Sequence, residues 1–416
     1  MKIKVLFLGL FLSFAFSQKT CANEELPPTI EKEVETGSPT LAMTERALIF
    51  KLTNPHYKEN SKDDEVKDII MIGDSDDEDD LDIFKEPLWV EGKLNPIYKE
   101  WYSKKLHNLI QYINLYTFRN LFLIMPTTTT DVLKPGTDRI RVGGNFSTIF
   151  FRDTEGAYDT QFDYEVLEGY LVFNYGVVED VEVGVYARSF HYSGGRLDHF
   201  KNQFEETIGL SAGSRGNHPL NQYEQALRIN GEEIQTGKKN EVGLGDLITT
   251  LKVRFVEETS NSPSAAVLTA LKLPTGNKND GFGSGTTDVG ASLVLSKHFT
   301  KRIKTHLNVG AAKPGGDGNF PNTATVYSLI PAIEYAFNTK NQIAFQVNVS
   351  TSPFKRIPTE SISENSFNIG LAYTRHLDSG SQFHLYFMDE LDNEGDTDYV
   401  VGFAFDIWPL FGKKEE

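Results

Sequence analysis

The chain has 416 residues and a formal charge of −17. That balance excludes a nucleic-acid binder, which needs a basic footprint. Its one cysteine, Cys21, lies near the start, so the rest of the chain can form neither disulfides nor thiolate metal sites.

Lys2 and Lys4, the apolar stretch from Val5 to Phe16 and then Thr20-Cys21-Ala22 read as a signal peptide over 1–22, cut near Ala22. The stretch is too short to span a bilayer as a helix, and Gln18-Lys19-Thr20 is a poor lipid-attachment box. Cleavage removes three lysines and no acid, leaving a charge of −20. Residues 23–96 are polar and acidic, and the run from Asp74 to Asp82 repels itself. They are expected to form a largely disordered periplasmic extension. The acidic run lacks the glycine and closing glutamate of an EF-hand loop, so a solvated tail is preferred to a calcium site. Residues 97–136 are the lead-in to the strands. Ile97, Trp101, Leu109, Ile113 and Tyr116 recur near helical spacing, which predicts an amphipathic helix between Ile97 and Phe118. Such a helix has three possible places: on the membrane surface, as a plug in a lumen or, preferred here, as a cap on the barrel end.

From 137 to 411 the chain reads as about twelve strands by alternation and turn signals. Arg139 to Phe151 sets Ile140, Val142, Phe146 and Phe150 against Arg139, Arg141, Asn145 and Ser147. Leu247, Leu251, Val253 and Phe255 alternate with Asp246, Thr250, Lys252 and Arg254, and the closing stretch from Tyr399 to Trp408 is aromatic on one face. Short turns, such as Tyr175 to Asp180 and His298 to Lys301, alternate with long polar connections, such as Ser193 to Gly243 and Pro353 to Glu364. Sorting of loops by length marks a transmembrane antiparallel up-and-down β-barrel, an all-β fold with periplasmic turns and extracellular loops. An even strand number would leave both chain ends in the periplasm. The 193–242 loop is long enough to carry structure of its own. Leu197, Phe200, Phe204 and Ile208 predict a short amphipathic helix, placed either over the mouth as a lid or on the lipid, and Asn230-Gly231 predicts a type I′ hairpin outside the wall.

A series of motifs follows the strands. Arg119-Asn120 precedes the first, Gly194-Gly195-x-Leu197-Asp198 opens the long loop, and Gly243-Leu244-Gly245-Asp246-Leu247 closes it. Leu271-Lys272-x-Pro274-x-Gly276 and Gly283-Ser284-Gly285-x-x-Asp288 come next. This order resembles a family of Gram-negative outer-membrane barrels known as domain of unknown function 3187, over roughly 119–411. The resemblance implies fold and location, and brings no ligand or catalytic residue with it.

The inward charges are the candidate functional residues: Arg139, Arg141, Glu168, Glu182, Arg188, Asp246, Lys252, Arg254, Lys272, Asp288 and Glu334. They fit two arrangements: a polar channel that biases which solutes pass, or a closed network of ion pairs between walls. A barrel of about twelve strands lies between the filled and the water-filled sizes, so strand number does not choose. His191, His199, His218, His298, His306, His376 and His384 lie beside no recognisable serine nucleophile motif, so no enzyme is expected. The expected function is passage or uptake of small solutes through a narrow polar lumen gated by the 193–242 loop. The alternative is a closed structural barrel that binds a partner through its outer loop or its extension. The expected partners are outer-membrane lipid, the outer-membrane assembly machinery and a small solute, with no cofactor and no metal.

Overall fold

The computed structural model describes residues 83–103, 109–111, 114–116, 118–195, 222–236, 238–316, 323–355, 360–377, 380–391, 397 and 399–407. The leader, most of the acidic extension and the predicted lid residues Leu197, Phe200, Phe204 and Ile208 lie outside them.

Twelve strands form the wall. They are β1 (Asp138–Glu155), β2 (Tyr158–Val178), β3 (Val181–Ser193), β4 (Leu247–Val256), β5 (Ser264–Leu273) and β6 (Asp288–His298). The second half is β7 (Ile303–Lys313), β8 (Val326–Ala336), β9 (Asn341–Ser350), β10 (Ser366–His376), β11 (Gln382–Glu390) and β12 (Tyr399–Ile407). Each strand pairs antiparallel with the next, and β12 pairs antiparallel with β1 from Tyr399↔Thr148 to Ile407↔Ile140, which closes the barrel. Closure removes the sheet edges that would otherwise seek partners.

Alternation sets the register. Along β8 every second residue is buried: Tyr327, Leu329, Ile333 and Tyr335 face out, while Ser328, Ile330, Ala332 and Glu334 face in. Val142, Leu171, Leu251, Leu293, Phe345 and Phe403 extend this exposed apolar face around the wall. A one-residue slip would reverse every side chain, so the buried charges lock the register. Pro331 lies within β8, and the β8–β9 ladder skips it and Ile330, because proline has no N–H to donate.

The loops sort into a short-turn end and a long-loop end, with one exception. β1 and β2 run 18 and 21 residues and join through Gly156-Ala157 at the long-loop end. Their tips extend beyond the rest of the wall, and the hairpin Glu224–Ile229 with Glu232–Thr236 pairs onto Tyr158 to Asp163. Its turn residues Asn230 and Gly231 have φ of 54° and 80°, as a type I′ turn requires. The hairpin thus extends the projecting tip and is not one of the twelve wall strands, as its sequence position predicts.

Two expectations for the lead-in change. First, the described residues carry regular structure from Ile83 on, inside the stretch expected to be disordered: a 3₁₀ turn Ile83–Lys85, a two-residue ladder of Trp89–Val90 with Lys93–Leu94, and helix α1 (Pro96–Ser103). Asn95 starts α1 by accepting a 3.1 Å hydrogen bond from the Ile97 N–H, and Pro96 sits at the first position, where no N–H is needed. Second, α1 stops at Ser103, and the described residues beyond it are not a continuation of the helix. From Leu109 on the chain is extended or turned, because side chains of the wall take over its main-chain hydrogen bonds.

Packing inside the wall is close. A Cβ on Gly402 of β12 would lie 2.0 Å from the Tyr386 ring and 2.4 Å from Asn145 Oδ1. Tyr386 is fixed by hydrogen bonds to Asn145 (2.6 Å) and Tyr170 (3.1 Å). Gly402→Ala is therefore expected to cost about 1–3 kcal/mol of stability, read as a lower midpoint of urea unfolding in detergent. An unchanged midpoint would show that the Tyr386 ring moves freely.

Candidate functional site

The chain's own lead-in fills the lumen except at the short-turn end, where a cavity of about 730 Å³ lies between Leu94, Asp131, Arg254 and His298. Ile110 lies at mid-height, where the Gln346 carboxamide of β9 accepts from its N–H (3.1 Å) and donates to its C=O (3.2 Å). Asn114 reaches Ser366 at the long-loop end, 3.1 Å away. The chain then reverses through Phe118, at φ 63°, and the 3₁₀ turn Arg119–Leu121. Arg119 is buried and donates to the carbonyls of Ile362 and Glu364. From Leu123 the chain descends. Its Leu123 N–H donates to Asp288 (2.8 Å), Thr128 pairs in both directions with Asn308 (3.1 and 3.0 Å), and the Thr130 N–H donates to Ser296 (3.3 Å). Asp131 meets Lys304 (2.6 Å), and the Leu133 N–H donates to Glu182 (3.1 Å). The segment leaves beside Gly176 and runs into β1.

Sequence explains this insert in retrospect. Leu121-Phe-Leu-Ile-Met125 is five consecutive apolar residues outside any wall strand, and such a run has to be buried somewhere. Pro126 and the four threonines that follow do not continue it as a helix. Leu123, Ile124 and Met125 pack against Tyr170, Tyr186, Ile248 and Leu268. Leu115, Tyr116, Phe118 and Phe122 join Phe162, Tyr164, Phe190 and Phe282 in an aromatic layer near the long-loop end. Glycines on the wall make room: a Cβ on Gly290 would sit 2.5 Å from Met125 Sδ, and one on Gly370 2.5 Å from Ile110 Cδ1. The cavity between Gln111, Thr127 and the wall residues Asn174 and Tyr186 is only about 40 Å³.

The candidate charges meet one another around this insert. Arg141 forms a two-pronged pair with Asp406 (2.5 and 2.7 Å), and Arg139 lies 4.0 Å from the same carboxylate. Arg188 pairs with Glu168, which also accepts from Asn145, and it donates to the Asn120 carbonyl. Glu182 pairs with Lys252 (3.2 Å), whose ammonium also reaches the Asp131 carbonyl (2.6 Å). Glu334 lies 3.6 Å from His306. Arg254 sits at the short-turn rim, partly exposed and paired with Asp180 (2.5 Å). Asp406, Asp131, Lys304, Asn308 and Gln346 take part in these contacts and are absent from the sequence candidates. The alternation of Lys304, His306 and Asn308 along one face of β7 was the available signal.

Three family-like motifs converge on one buried knot at the long-loop end. Lys272 donates to Asp246 (2.6 Å) and Ser284 (2.6 Å) and lies 3.4 Å from Asp288. Asp246 also accepts from the N–H groups of Gly276 and Ser284. Asp288 bridges the Gly315 N–H and the Leu123 N–H of the insert. The motif residues therefore tie outer loops and insert to the wall.

Two chains of hydroxyl, histidine and carboxylate cross adjacent strands: Ser296–His306–Glu334 (2.8 and 3.6 Å) and Thr374–His384–Asp406 (2.9 and 3.3 Å). Both lie inside the wall, not on an outer face where a lipid ester would approach, and Ser296 is already bonded to the insert. Among the described residues no cluster suited to a metal ion occurs.

Residues 83–103 cover the short-turn mouth. Lys297 sits over the Trp89 ring and Arg302 over Phe84, each about 4.5 Å from the centroid, and Lys99 meets Glu257 at 2.9 Å. Burial and the Glu86 carboxylate push the Tyr98 phenol up to about 12. The Lys99 hydrogen bond and charge hold Glu257 below the usual carboxylate range. A carboxyl held low in the fold adds stability that is complete above its unfolded pKa and is lost as pH falls through the folded one. Hydrogen-exchange protection over 83–101, taken relative to the intrinsic rate at each pH, should therefore be higher at neutral pH and fall below about pH 4. Equal protection at both would remove Glu257 from the docking.

A closed twelve-stranded antiparallel barrel with an internal segment drawn from its own N-terminal side defines the class. The chain belongs to the family described as "Protein of unknown function (DUF3187)", whose profile matches residues 104–407. No curated protein matches it. Among solved structures it is similar to the COG4313 outer membrane channel from Pseudomonas putida F1, at 10% identity over 66% of this chain and 96% of that one, TM-score 0.43. It is also similar to the NanC porin (9%, 65% and 98%, TM-score 0.37) and the KdgM porin (9%, 64% and 98%, TM-score 0.34).

Proposed function

We propose that this protein is an outer-membrane channel for small solutes, held shut by its own lead-in segment. The exposed apolar face of the wall and the polar lumen support a place in a bilayer, with the short turns in the periplasm and the long loops outside. The leader would be removed near Ala22, and the aromatic closing strand with Phe403 and Phe405 would suit recognition by the assembly machinery. One observation carries the reading. The insert is a hairpin whose described ends, α1 before it and Asp138 after it, both lie at the short-turn mouth. It can withdraw as a unit without threading either end through the wall. What it would leave behind is a lumen lined by Arg141, Glu168, Lys252, Lys304 and Asp406, a polar path for solutes.

The paired charges favour the second reading, a closed barrel that presents its outer loops to a partner. Conductance in a planar bilayer separates the two. The mature chain should be mostly closed, and a variant lacking 109–134 should give discrete steps. Steps only after removal of 196–221 would move the gate to the outer loop. Silence from all three, with a heat-modifiable barrel on gels, would leave the closed barrel.

A further inference from the structure

Beside its bonds to insert side chains such as Asn114, Thr130 and Asp131, the wall grips the insert by its main chain. Gln346 and Asn308 each donate to and accept from a single residue, Ile110 and Thr128, as one peptide unit pairs with another. Asp288, Ser296 and Glu182 accept from the N–H groups of Leu123, Thr130 and Leu133. Arg188 and Lys252 donate to the carbonyls of Asn120 and Asp131. A segment buried there without a ladder of its own has to place its N–H and C=O groups on something, and here the wall's side chains are what they meet. Its own side chains enter glycine notches: Met125 at Gly290 and Gly310, and Ile110 at Gly370. Main-chain bonds for affinity and pockets for selected side chains are how extended peptides are recognised.

We propose that the inner wall is a binding track for an extended polypeptide, with 109–134 as its resident occupant. When the resident withdraws, the ligand class the track accepts is a second extended peptide, read through its amides, with apolar side chains at the notches. This rests on the channel reading above, because the resident has to leave first.

The test uses the full chain with Cys21→Ser and Met125→Cys, folded in detergent, with Thr127→Cys as a second reporter. The rate at which a small maleimide modifies the buried thiol reports withdrawal of the resident. The probes are a synthetic peptide of residues 109–134 and the same peptide N-methylated at Leu123 and Thr128, which removes two of the N–H groups the wall reads. The unmodified peptide should speed labelling at least tenfold by occupying the track, and the methylated one should not. If the thiol reacts slowly by itself and neither peptide changes the rate, the resident leaves but the track takes no peptide, and the proposal fails alone. Equal acceleration by both peptides also overturns it, because the amides are then not what is read. A thiol that never reacts below denaturing urea overturns both the track and the channel.

Discussion

Replacing Asp406 with alanine should destabilise the barrel by about 3–5 kcal/mol, because it leaves buried cations without their counter-charge. Arg141 makes two hydrogen bonds to that carboxylate, Arg139 lies 4.0 Å away, and all three groups are at most 2% exposed. The loss would appear as a lower urea midpoint in detergent, with the slope of the transition unchanged. A paired replacement separates charge from packing. Arg141→Leu with Asp406→Leu removes the nearer stranded cation and leaves Arg139, so it should recover part of the loss, since a well-packed apolar pair often does as well as a buried ion pair. If Asp406→Ala costs no more than an ordinary surface change, the pair does not hold β12 to β1 and the seam is secured elsewhere.

Loosening the insert should have the larger functional effect. Asn308→Leu and Gln346→Leu together remove four hydrogen bonds of 3.0–3.2 Å between wall and insert. Once the insert withdraws, its amides and the carboxamides are hydrated, so the net value of each bond is what counts, about 1 kcal/mol. The double variant should then shift the balance toward withdrawal by about 4 kcal/mol, or about a thousandfold. Each single change should give roughly thirtyfold, because Ile110 and Thr128 sit at different heights and share no partner. Hydrogen exchange over 121–133 measures this directly: protection should fall by those factors while the wall strands keep theirs. Parallel loss of protection in the wall would instead mean that insert and barrel unfold as one unit. No change in the insert would assign its hold to the aromatic layer around Tyr116, Phe118 and Phe282.

The sequence by itself determined the wall. Alternation is a local property: Leu251 against Lys252, or Tyr335 against Glu334, states which face meets an apolar surround whatever the neighbouring strand is. Loop lengths, the even strand number and the Asn230-Gly231 turn are equally local, so they were legible. The inward charges were legible as a set for the same reason, but their partners were not. Arg141 and Asp406 are 265 positions apart, and only barrel closure brings them together.

The insert is what only the tertiary structure decided. Leu109 to Leu133 follows neither a period of two nor a helical one, because it faces wall on all sides and no solvent side imposes a period. Its conformation is set by groups such as Asn308, Gln346 and Glu182, each of which reads along its own strand as one more inward polar residue. The helical spacing of Ile97, Trp101, Leu109 and Tyr116 misled for the same reason. Ile97 and Trp101 do lie on α1, but Leu109 and Tyr116 fill the closed lumen, and the main chain around Ile110 found its hydrogen bonds on the wall and not in itself.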